Sequence, residues 1–338
     1  MRACLITNPR SGRGQLDLTV VLATLRAQGW DVVTRQKTRG GEATKLARAA
    51  GEEGYDIVVA CAGDGTVSEV VDGLAGSDVA VGVLPGGTAN LWAHELGLSP
   101  RLEVAALQLA GAERRRVDVG HVSVNGRHGR HFLLMAGLGF DGAVMARVSK
   151  PLKQRVGVMA VGLAALQALP SWRPVFVRAE LDGLTWQGKV SQVIVGNTRR
   201  YGGFTRVTPD AFIDDGLLDI CLITAANLPA AGGQLASLLF RKHPGTGSAE
   251  SYRAASLIIQ ASEALPLQVD GGAVRLKKET PTTDGMIYRF SVRARGITML
   301  VPRGYNGELF QPGAHSASLD GITGSSLIHH GHSRPHPG

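Results

Sequence analysis

The first third of the chain alternates short apolar runs with segments that place apolar residues at helical spacing, and this alternation constrains the fold most strongly. The predicted elements, strand and helix in turn, are Ala3–Thr7, Leu16–Ala27, Trp30–Thr34, Glu42–Ala50, Ile57–Cys61, Val67–Leu74, Val79–Leu84 and Ala89–Leu96. Strands that alternate with helices pair in parallel through right-handed crossovers. The sequence therefore predicts a doubly wound α/β domain with a parallel sheet over residues 1–115.

After Arg116 the pattern changes to short strand-like runs. These runs are Val117–Val124, His131–Ala136, Val175–Leu181, Val190–Val195, Leu217–Ile223, Ser256–Gln260, Leu267–Val269 and Tyr288–Val292. Two helical segments, Leu152–Leu169 and Leu228–Phe240, interrupt them. We predict a mostly β, sandwich-like domain over residues 116–310. Residues 311–338 lack periodicity and are rich in His, Ser and Gly, so we expect a disordered tail.

Charge and composition narrow the classes of partner. The net charge of +8 suits nucleotide phosphates or an acidic membrane face. Aromatic residues make up only 5% of the chain and do not interleave with basic runs, so we expect no nucleic-acid partner. Cys4, Cys61 and Cys221 lie in apolar runs, as buried thiols of a cytoplasmic protein do. No apolar stretch reaches the roughly 20 residues that span a bilayer.

Three glycine-containing loops each follow a predicted strand: residues 8–14, 62–66 and 85–90. The carboxyl ends of parallel strands form one edge of such a sheet, so we expect the loops to lie together. Glycines expose backbone N–H groups, and the helix N-termini that follow favour anionic charge. The spacing of a P-loop is absent, as is that of a dinucleotide fingerprint. The loops therefore predict a polyphosphate site of another kind.

Side chains within these loops suit phosphate chemistry. Hydroxyl and guanidinium groups that can donate to phosphate oxygens come from Ser11, Thr66, Thr88, Arg10 and Arg13. Asp64 differs from them, because a carboxylate among phosphate-binding glycines is repulsive unless it holds a metal ion or accepts a proton. Both roles occur in phosphoryl transfer.

Short motifs in a fixed order carry a resemblance to a known family. They are Asn8-Pro9-x-Ser11-Gly12, Gly63-Asp64-Gly65-Thr66-x-x-Glu69, Gly87-Thr88-x-Asn90, Gly137-x-Gly139-Phe140-Asp141, Gly196-Asn197, Tyr201-Gly202-Gly203 and Pro209-x-Ala211-x-x-Asp214-Asp215-Gly216-x-Leu218-Asp219. Over about residues 1–305 the chain resembles the diacylglycerol kinase and sphingosine kinase-like lipid kinases. The resemblance implies an N-terminal nucleotide domain like that of NAD kinases, joined to a β-rich domain, with ATP between them.

The same resemblance implies roles for individual residues. The implied ATP-binding residues are Asn8, Pro9, Arg10, Ser11, Gly12, Thr38, Gly63, Asp64, Gly65, Thr66, Glu69 and Thr88. A structural Mg²⁺ is implied near Asp215, completed by backbone carbonyls around Phe212 and Leu217. Asp64 is implied at the catalytic centre, together with a catalytic Mg²⁺. Without this resemblance, Asp214-Asp215-Gly216 is typical of a plain turn.

One position departs from the family. Its members usually carry Asp-Gly-Glu late in the second domain, and that glutamate is a proposed general base. Here the matching stretch is Asp270-Gly271-Gly272, so the glutamate position holds a glycine. Either Asp64 or Asp270 then deprotonates the lipid hydroxyl, or the activity is weak or lost.

Three hypotheses follow for function. The favoured one is an ATP-dependent lipid kinase that converts diacylglycerol to phosphatidic acid at the inner membrane face. Its basic residues Lys150, Lys153 and Arg155 precede an apolar segment that is either a core helix or a lipid-facing one. The alternatives are an NAD kinase-like enzyme and a catalytically weak nucleotide- or lipid-binding homologue. The sequence leaves monomer and homodimer open.

Overall fold

The structure of the chain is a computed structural model that describes residues 1–9, 11, 16–147, 167–168, 172–201, 205–224, 249–274 and 285–312. Several predicted features lie outside these residues: Arg10, Gly12, the basic residues 150–155, the helix over 228–240 and nearly all of the tail. Only residues 167 and 168 of the helix predicted over 152–169 are described, and both are helical.

The N-terminal part alternates strands and helices, as the sequence predicts. Its elements are β1 (Arg2–Thr7), α1 (Thr19–Ala27), β2 (Asp31–Gln36), α2 (Glu42–Glu52), β3 (Ile57–Ala62), α3 (Asp64–Leu74), β4 (Ala80–Pro85), α4 (Leu91–Glu95) and α5 (Leu102–Ala110). The strands pair in parallel in the order β2-β1-β3-β4. All six residues of both β3 and β4 are buried, which explains why these strands read as continuous apolar runs. The sequence reading missed α5.

The C-terminal part is mostly β, which confirms the predicted sandwich. Its elements are β5 (Glu113–Val124), β6 (Arg127–Phe132), β7 (Met135–Gly139), α6 (Phe140–Arg147), β8 (Val175–Leu181), β9 (Leu184–Val190), β10 (Gln192–Gly196), β11 (Arg200–Tyr201), β12 (Thr205–Arg206), β13 (Leu218–Ile223), β14 (Ala249–Ala254), β15 (Ser256–Ala261), β16 (Leu267–Val269), β17 (Gly272–Val274) and β18 (Met286–Val301). One sheet has the order β14-β13-β10-β7-β16-β17. A shared apolar core joins it to the strands around β15 and β8.

Two predicted strands are wrong as single elements. The run His131–Ala136 contains the end of β6 and the start of β7, and the run Val190–Val195 contains the end of β9 and the start of β10. In the first case the connecting residues Leu133 and Leu134 are buried, so the apolar pattern continues through a break in the strand. Hydrophobicity alone therefore hides the turn.

The last strand, β18, ties the two parts together. It pairs antiparallel with β5 from Tyr288 to Val301, and near its end Thr298 and Met299 also pair in parallel with β4. The register against β5 shifts between Arg293 and Ile297, where Arg295 adopts a left-handed φ of 51°. The N-terminal sheet thus continues into the second domain, and the predicted boundary at residue 115 lies inside β5. Within the described residues, the structure contains no helix that is both long and apolar enough to cross a membrane.

Candidate active site

The three glycine-containing loops follow three neighbouring parallel strands, because β1 pairs with β3 and β3 pairs with β4. Their carboxyl ends therefore meet at one edge of the sheet. The second and third loops are in contact: a Cβ atom on Gly87 would lie 2.3 Å from Cα of Gly63. A Cβ atom on Gly86 would lie 2.9 Å from Cα of Ala62. Only residues without a side chain allow this close approach of the two loops.

Asn90 fixes the conformation of the third loop. Its Oδ1 atom accepts a hydrogen bond from the Gly87 N–H at 2.7 Å, and its Nδ2 atom donates to the Gly87 carbonyl at 3.0 Å. Asn90 itself has a φ of 49°, a left-handed conformation that asparagine tolerates better than most residues. These two hydrogen bonds between Asn90 and Gly87 close the loop, and Thr88 is exposed at its tip.

Asp64 is the first residue of α3 and lies half-buried at the same edge. Its Oδ1 atom accepts a hydrogen bond of 3.2 Å from the N–H of Trp92, which links the second loop to α4. Gly65 beside it is exposed, whereas Thr66 is buried and its N–H donates to the Gly63 carbonyl at 2.8 Å. The helix N-terminus favours a negative charge at this position.

The first loop begins with a tight turn. The N–H and the hydroxyl of Ser11 both donate to the carbonyl oxygen of Asn8, at 2.9 and 2.8 Å. Pro9, inside the turn, is exposed. This turn directly follows β1, at the edge that also carries Asp64.

Two residues implied to bind ATP have protein partners in this structure. The N–H and hydroxyl of Thr38 donate to Glu42 Oε2, at 2.5 and 2.9 Å. Glu69 Oε2 accepts from Lys37 Nζ at 2.6 Å and from the Ala43 N–H at 3.1 Å. Lys37 and Glu69 have side chains that are only 8% and 14% exposed, so Glu69 joins α3 to the end of β2 and the start of α2. Sequence reasoning missed Lys37, since nothing local marks it as the partner of a residue 32 positions away.

Asp270 lies in the turn of a β-hairpin between β16 and β17. Asp270 and Gly271 have φ angles of 46° and 71°, as the two central residues of a type I′ turn require. The Asp270 carboxylate accepts hydrogen bonds from the N–H groups of Leu133, Leu134 and Met135 at 2.9–3.1 Å. Burial raises its pKa, although these N–H groups and the Ser68 hydroxyl act in the opposite direction. Asp270 thus fixes the residues that connect β6 to β7.

Asp270 also lies near α3, because the Ser68 side chain is close enough to act on its carboxylate, although the Ser68 hydroxyl has no hydrogen-bond partner among the described residues. Ser68 lies on the same helix as Asp64. The two α3 residues are four positions apart, which is about one helical turn or 6 Å along the axis. The structure therefore brings both predicted catalytic carboxylates to one region. Gly272, two residues after Asp270, is exposed. A Cβ atom on Gly272 would lie 3.3 Å from the Val269 carbonyl oxygen.

The residues implied to hold a structural Mg²⁺ lie in a cluster of acidic side chains. Asp215 Oδ1 accepts from the Leu217 N–H at 2.9 Å, and Oδ2 forms an ion pair with Arg253. Arg253 Nε is also 3.5 Å from Asp219 Oδ1. Burial raises the pKa of both carboxyls, that of Asp219 to about 6, and Arg253 opposes the shift.

As placed, these groups do not make a magnesium site. Both oxygens of Asp215 have partners, and a guanidinium group occupies the position at which a cation would neutralise the carboxylates. Across the part of the chain that the structure describes, no three His, Cys, Asp or Glu side chains are arranged to hold a metal ion. The metal assignment of Asp215, Phe212 and Leu217 remains a prediction from resemblance.

Comparisons with known proteins match both parts of the chain. Residues 2–122 match the family model of the diacylglycerol kinase catalytic domain. Residues 135–284 match that of the YegS C-terminal NAD kinase beta sandwich-like domain. Together the two matches extend over residues 2–284 apart from the segment 123–134, so they include neither β6 nor β18.

Individual relatives agree with these matches. The chain is 34% identical over 277 residues to the diacylglycerol kinase of Bacillus subtilis (strain 168), a match that covers 80% of this chain and 89% of that protein. It is 29% identical over 311 residues to a Pseudomonas fluorescens protein named "Probable lipid kinase YegS-like", covering 89% and 95%. The crystal structure of a diacylglycerol kinase from Bacillus anthracis str. Sterne superimposes with a TM-score of 0.66 at 23% identity, covering 90% of this chain and 98% of the other, which supports the shared fold.

Proposed function

The chain belongs to the diacylglycerol kinase family of lipid kinases, and from this premise we propose that it transfers the γ-phosphoryl group of ATP to diacylglycerol, giving phosphatidic acid. The observation that carries the proposal is the contact between the Gly63 and Gly87 backbones, with Asp64 beside it. The third loop and the N-terminus of α3 then lie side by side at one edge of the sheet, an arrangement that suits a polyphosphate.

In the proposed reaction the lipid hydroxyl oxygen attacks the γ-phosphorus, the bond to the β–γ bridging oxygen breaks, and ADP leaves. The hydroxyl proton passes to a carboxylate. Asp64 is the better placed acceptor, because it is half-buried at the edge where the loops meet. Asp270 is committed to three backbone N–H groups, so we assign it the role of positioning β6 and β7 against α3.

In the proposed reaction Mg²⁺ binds together with ATP. Magnesium is usually held by substrate phosphates together with one or two carboxylates, and it neutralises the charge that develops on the transferred group. Among the described residues, Asp64 is the carboxylate at the loop edge that would coordinate this Mg²⁺. Asp215 is not needed for it, since its oxygens are paired within the second domain.

The proposal includes peripheral association with the inner face of a membrane. The acceptor hydroxyl of diacylglycerol lies at the bilayer interface, so the catalytic edge must reach that surface. The net charge of +8 favours an anionic leaflet, where each basic side chain near the surface contributes about 1 kcal/mol.

A radiolabelled ATP assay tests the proposal, with diacylglycerol in mixed micelles and NAD offered side by side. We expect labelled phosphatidic acid, and we expect Asp64→Asn to abolish it while Asp31→Asn, at an exposed position on β2, leaves it unchanged. Labelled NAD phosphate alone would replace the proposal with the NAD kinase alternative. ATP binding without turnover on either acceptor would favour a binding homologue that has lost catalysis.

A further inference from the structure

A cavity of about 390 Å³ is lined by the end of α4, the strands β11 and β12, and the C-terminal segment 302–309. Four arginines line it: Arg199, Arg200, Arg206 and Arg303. Among the described lining residues the carboxylates are those of Glu95 and Glu308, so positive charge exceeds negative by two when His94 is neutral. None of these residues belongs to the loops that converge on Asp64.

The two glutamates are shared among the arginines. Glu308 Oε2 is 2.5 Å from Arg206 Nη2 and 3.5 Å from Arg199 Nη1, and Glu95 Oε1 is 3.8 Å from Arg200 Nε. Burial raises the pKa of Glu95, and the charges of Arg200, Arg206 and Arg199 act in the opposite direction. Guanidinium groups held this close repel one another unless an anion lies between them.

Arg199 is already fixed in place. Its Nε atom donates to the Ala211 carbonyl at 2.9 Å, and its guanidinium carbon lies 4.4 Å from the centre of the Phe212 ring. Its side chain is only 16% exposed, so little conformational freedom remains to be lost on binding. By contrast, Arg200 and Arg206 are about half exposed and can turn toward a ligand.

We propose that this basic cleft is a second anion site, which binds the phosphate group of a ligand other than the nucleotide. Arginine presents a planar fork of N–H donors that matches phosphate oxygens, and several such forks converge here. Glu308, 56% exposed, occupies the guanidinium groups of Arg199 and Arg206 in the absence of ligand and is displaced when phosphate binds. The phosphate belongs either to a lipid head group or to a free phosphate compound.

Titration calorimetry of the full chain with inorganic phosphate at low ionic strength tests the site. Arg206→Gln should weaken binding by about tenfold, because a charge-assisted hydrogen bond is lost. Glu308→Gln should tighten binding several-fold, because the competing carboxylate is removed. Arg178→Gln is the matched control: Arg178 on β8 is 54% exposed and pairs with Glu180 at 3.5 Å, so the affinity should stay unchanged.

Co-sedimentation with vesicles distinguishes the two sources of phosphate. One vesicle contains only phosphatidylcholine and the other also contains an anionic phospholipid. Binding to the anionic vesicle that follows the order Glu308→Gln, wild type, Arg206→Gln assigns the cleft to a lipid head group. If the affinities follow the same order for inorganic phosphate but not for the vesicles, the cleft binds a free phosphate compound. Equal affinities in all four proteins, with both probes, would overturn the site, and the result does not depend on whether the chain has kinase activity.

Discussion

The backbones of Gly63 and Gly87 lie in direct contact, and a Cβ atom on Gly87 would stand 2.3 Å from Cα of Gly63. Gly63 directly follows β3 and Gly87 lies two residues after the end of β4, and these two strands pair along six residues. The absence of both side chains therefore sets the distance between the two phosphate-binding loops.

Gly87→Ala should separate these loops. The added methyl group meets backbone rather than a flexible side chain, so the loops must shift, at a cost of about 1–3 kcal/mol in unfolding free energy. We expect ATP affinity to fall by more than tenfold, because the third loop and the N-terminus of α3 no longer lie side by side. Equilibrium binding of ATP and urea unfolding measure the two effects. Gly40→Ala is the control, since a Cβ atom there has no neighbour within 4 Å; equal ATP affinities in both variants would contradict the model of converging loops.

Glu69→Gln tests whether Glu69 acts on the fold or on the nucleotide. The substitution leaves the Lys37 ammonium buried without its counter-charge, which costs about 3 kcal/mol of unfolding free energy. Urea unfolding without nucleotide should show this loss. The same change at Glu103, in an exposed pair with Arg101 at 3.8 Å, should cost less than about 0.5 kcal/mol. If Glu69→Gln is as stable as wild type but binds ATP more weakly, Glu69 acts in nucleotide binding and not in the stability of the fold.

His121 should make stability depend on pH. Burial lowers the pKa of its imidazole below the usual 6.5, and the neighbouring His131 lowers it further. As the pH falls below about 6.5, the unfolded chain therefore takes up a proton before the folded chain does, and stability decreases until the pH passes the folded-state pKa. His121→Gln removes this contribution, so its stability relative to wild type should rise between pH 8 and pH 5. Parallel profiles of unfolding free energy against pH would show that His121 has no such role.

We expect the Arg253 guanidinium to neutralise the charge of Asp215 and Asp219, a role for which the family resemblance implies a structural Mg²⁺. It pairs with Asp215 and approaches Asp219, and both carboxylates are nearly buried. Arg253→Gln should lower the unfolding free energy by about 2 kcal/mol, reduced from a fully buried pair because Arg253 is 40% exposed. Without nucleotide, Mg²⁺ should raise the melting temperature of this variant and leave wild type unchanged. A wild-type melting temperature that falls in EDTA would instead assign the cluster to the metal.

The sequence was sufficient for the parts of the site that depend on local patterns. Strand–helix alternation predicts that the loops 8–14, 62–66 and 85–90 share one edge, because parallel strands leave their carboxyl ends together. Contacts between distant residues were not predictable. Lys37 reaches Glu69, Arg253 reaches Asp215, and Asp270 binds N–H groups more than 130 positions earlier. These partners are set by strand pairing and helix packing between elements that are distant in the sequence, which periodicity within a short window does not record.

Gly272→Glu should raise the rate of the proposed reaction, since it restores the carboxylate that the family usually carries after Asp-Gly. The residue is exposed in the short strand β17 and its backbone does not require glycine, although the new Cβ atom would press on the Val269 carbonyl oxygen at 3.3 Å. A positioned general base contributes about 10²–10⁴-fold to proton transfer, so we expect kcat to rise toward about a hundredfold while KM for ATP stays constant. Gly272→Gln is the matched control, because it adds the same bulk without a basic carboxylate and should give no gain. If the glutamate and glutamine variants form phosphatidic acid at the wild-type rate, proton acceptance does not limit this enzyme, and Asp64 alone suffices as the base.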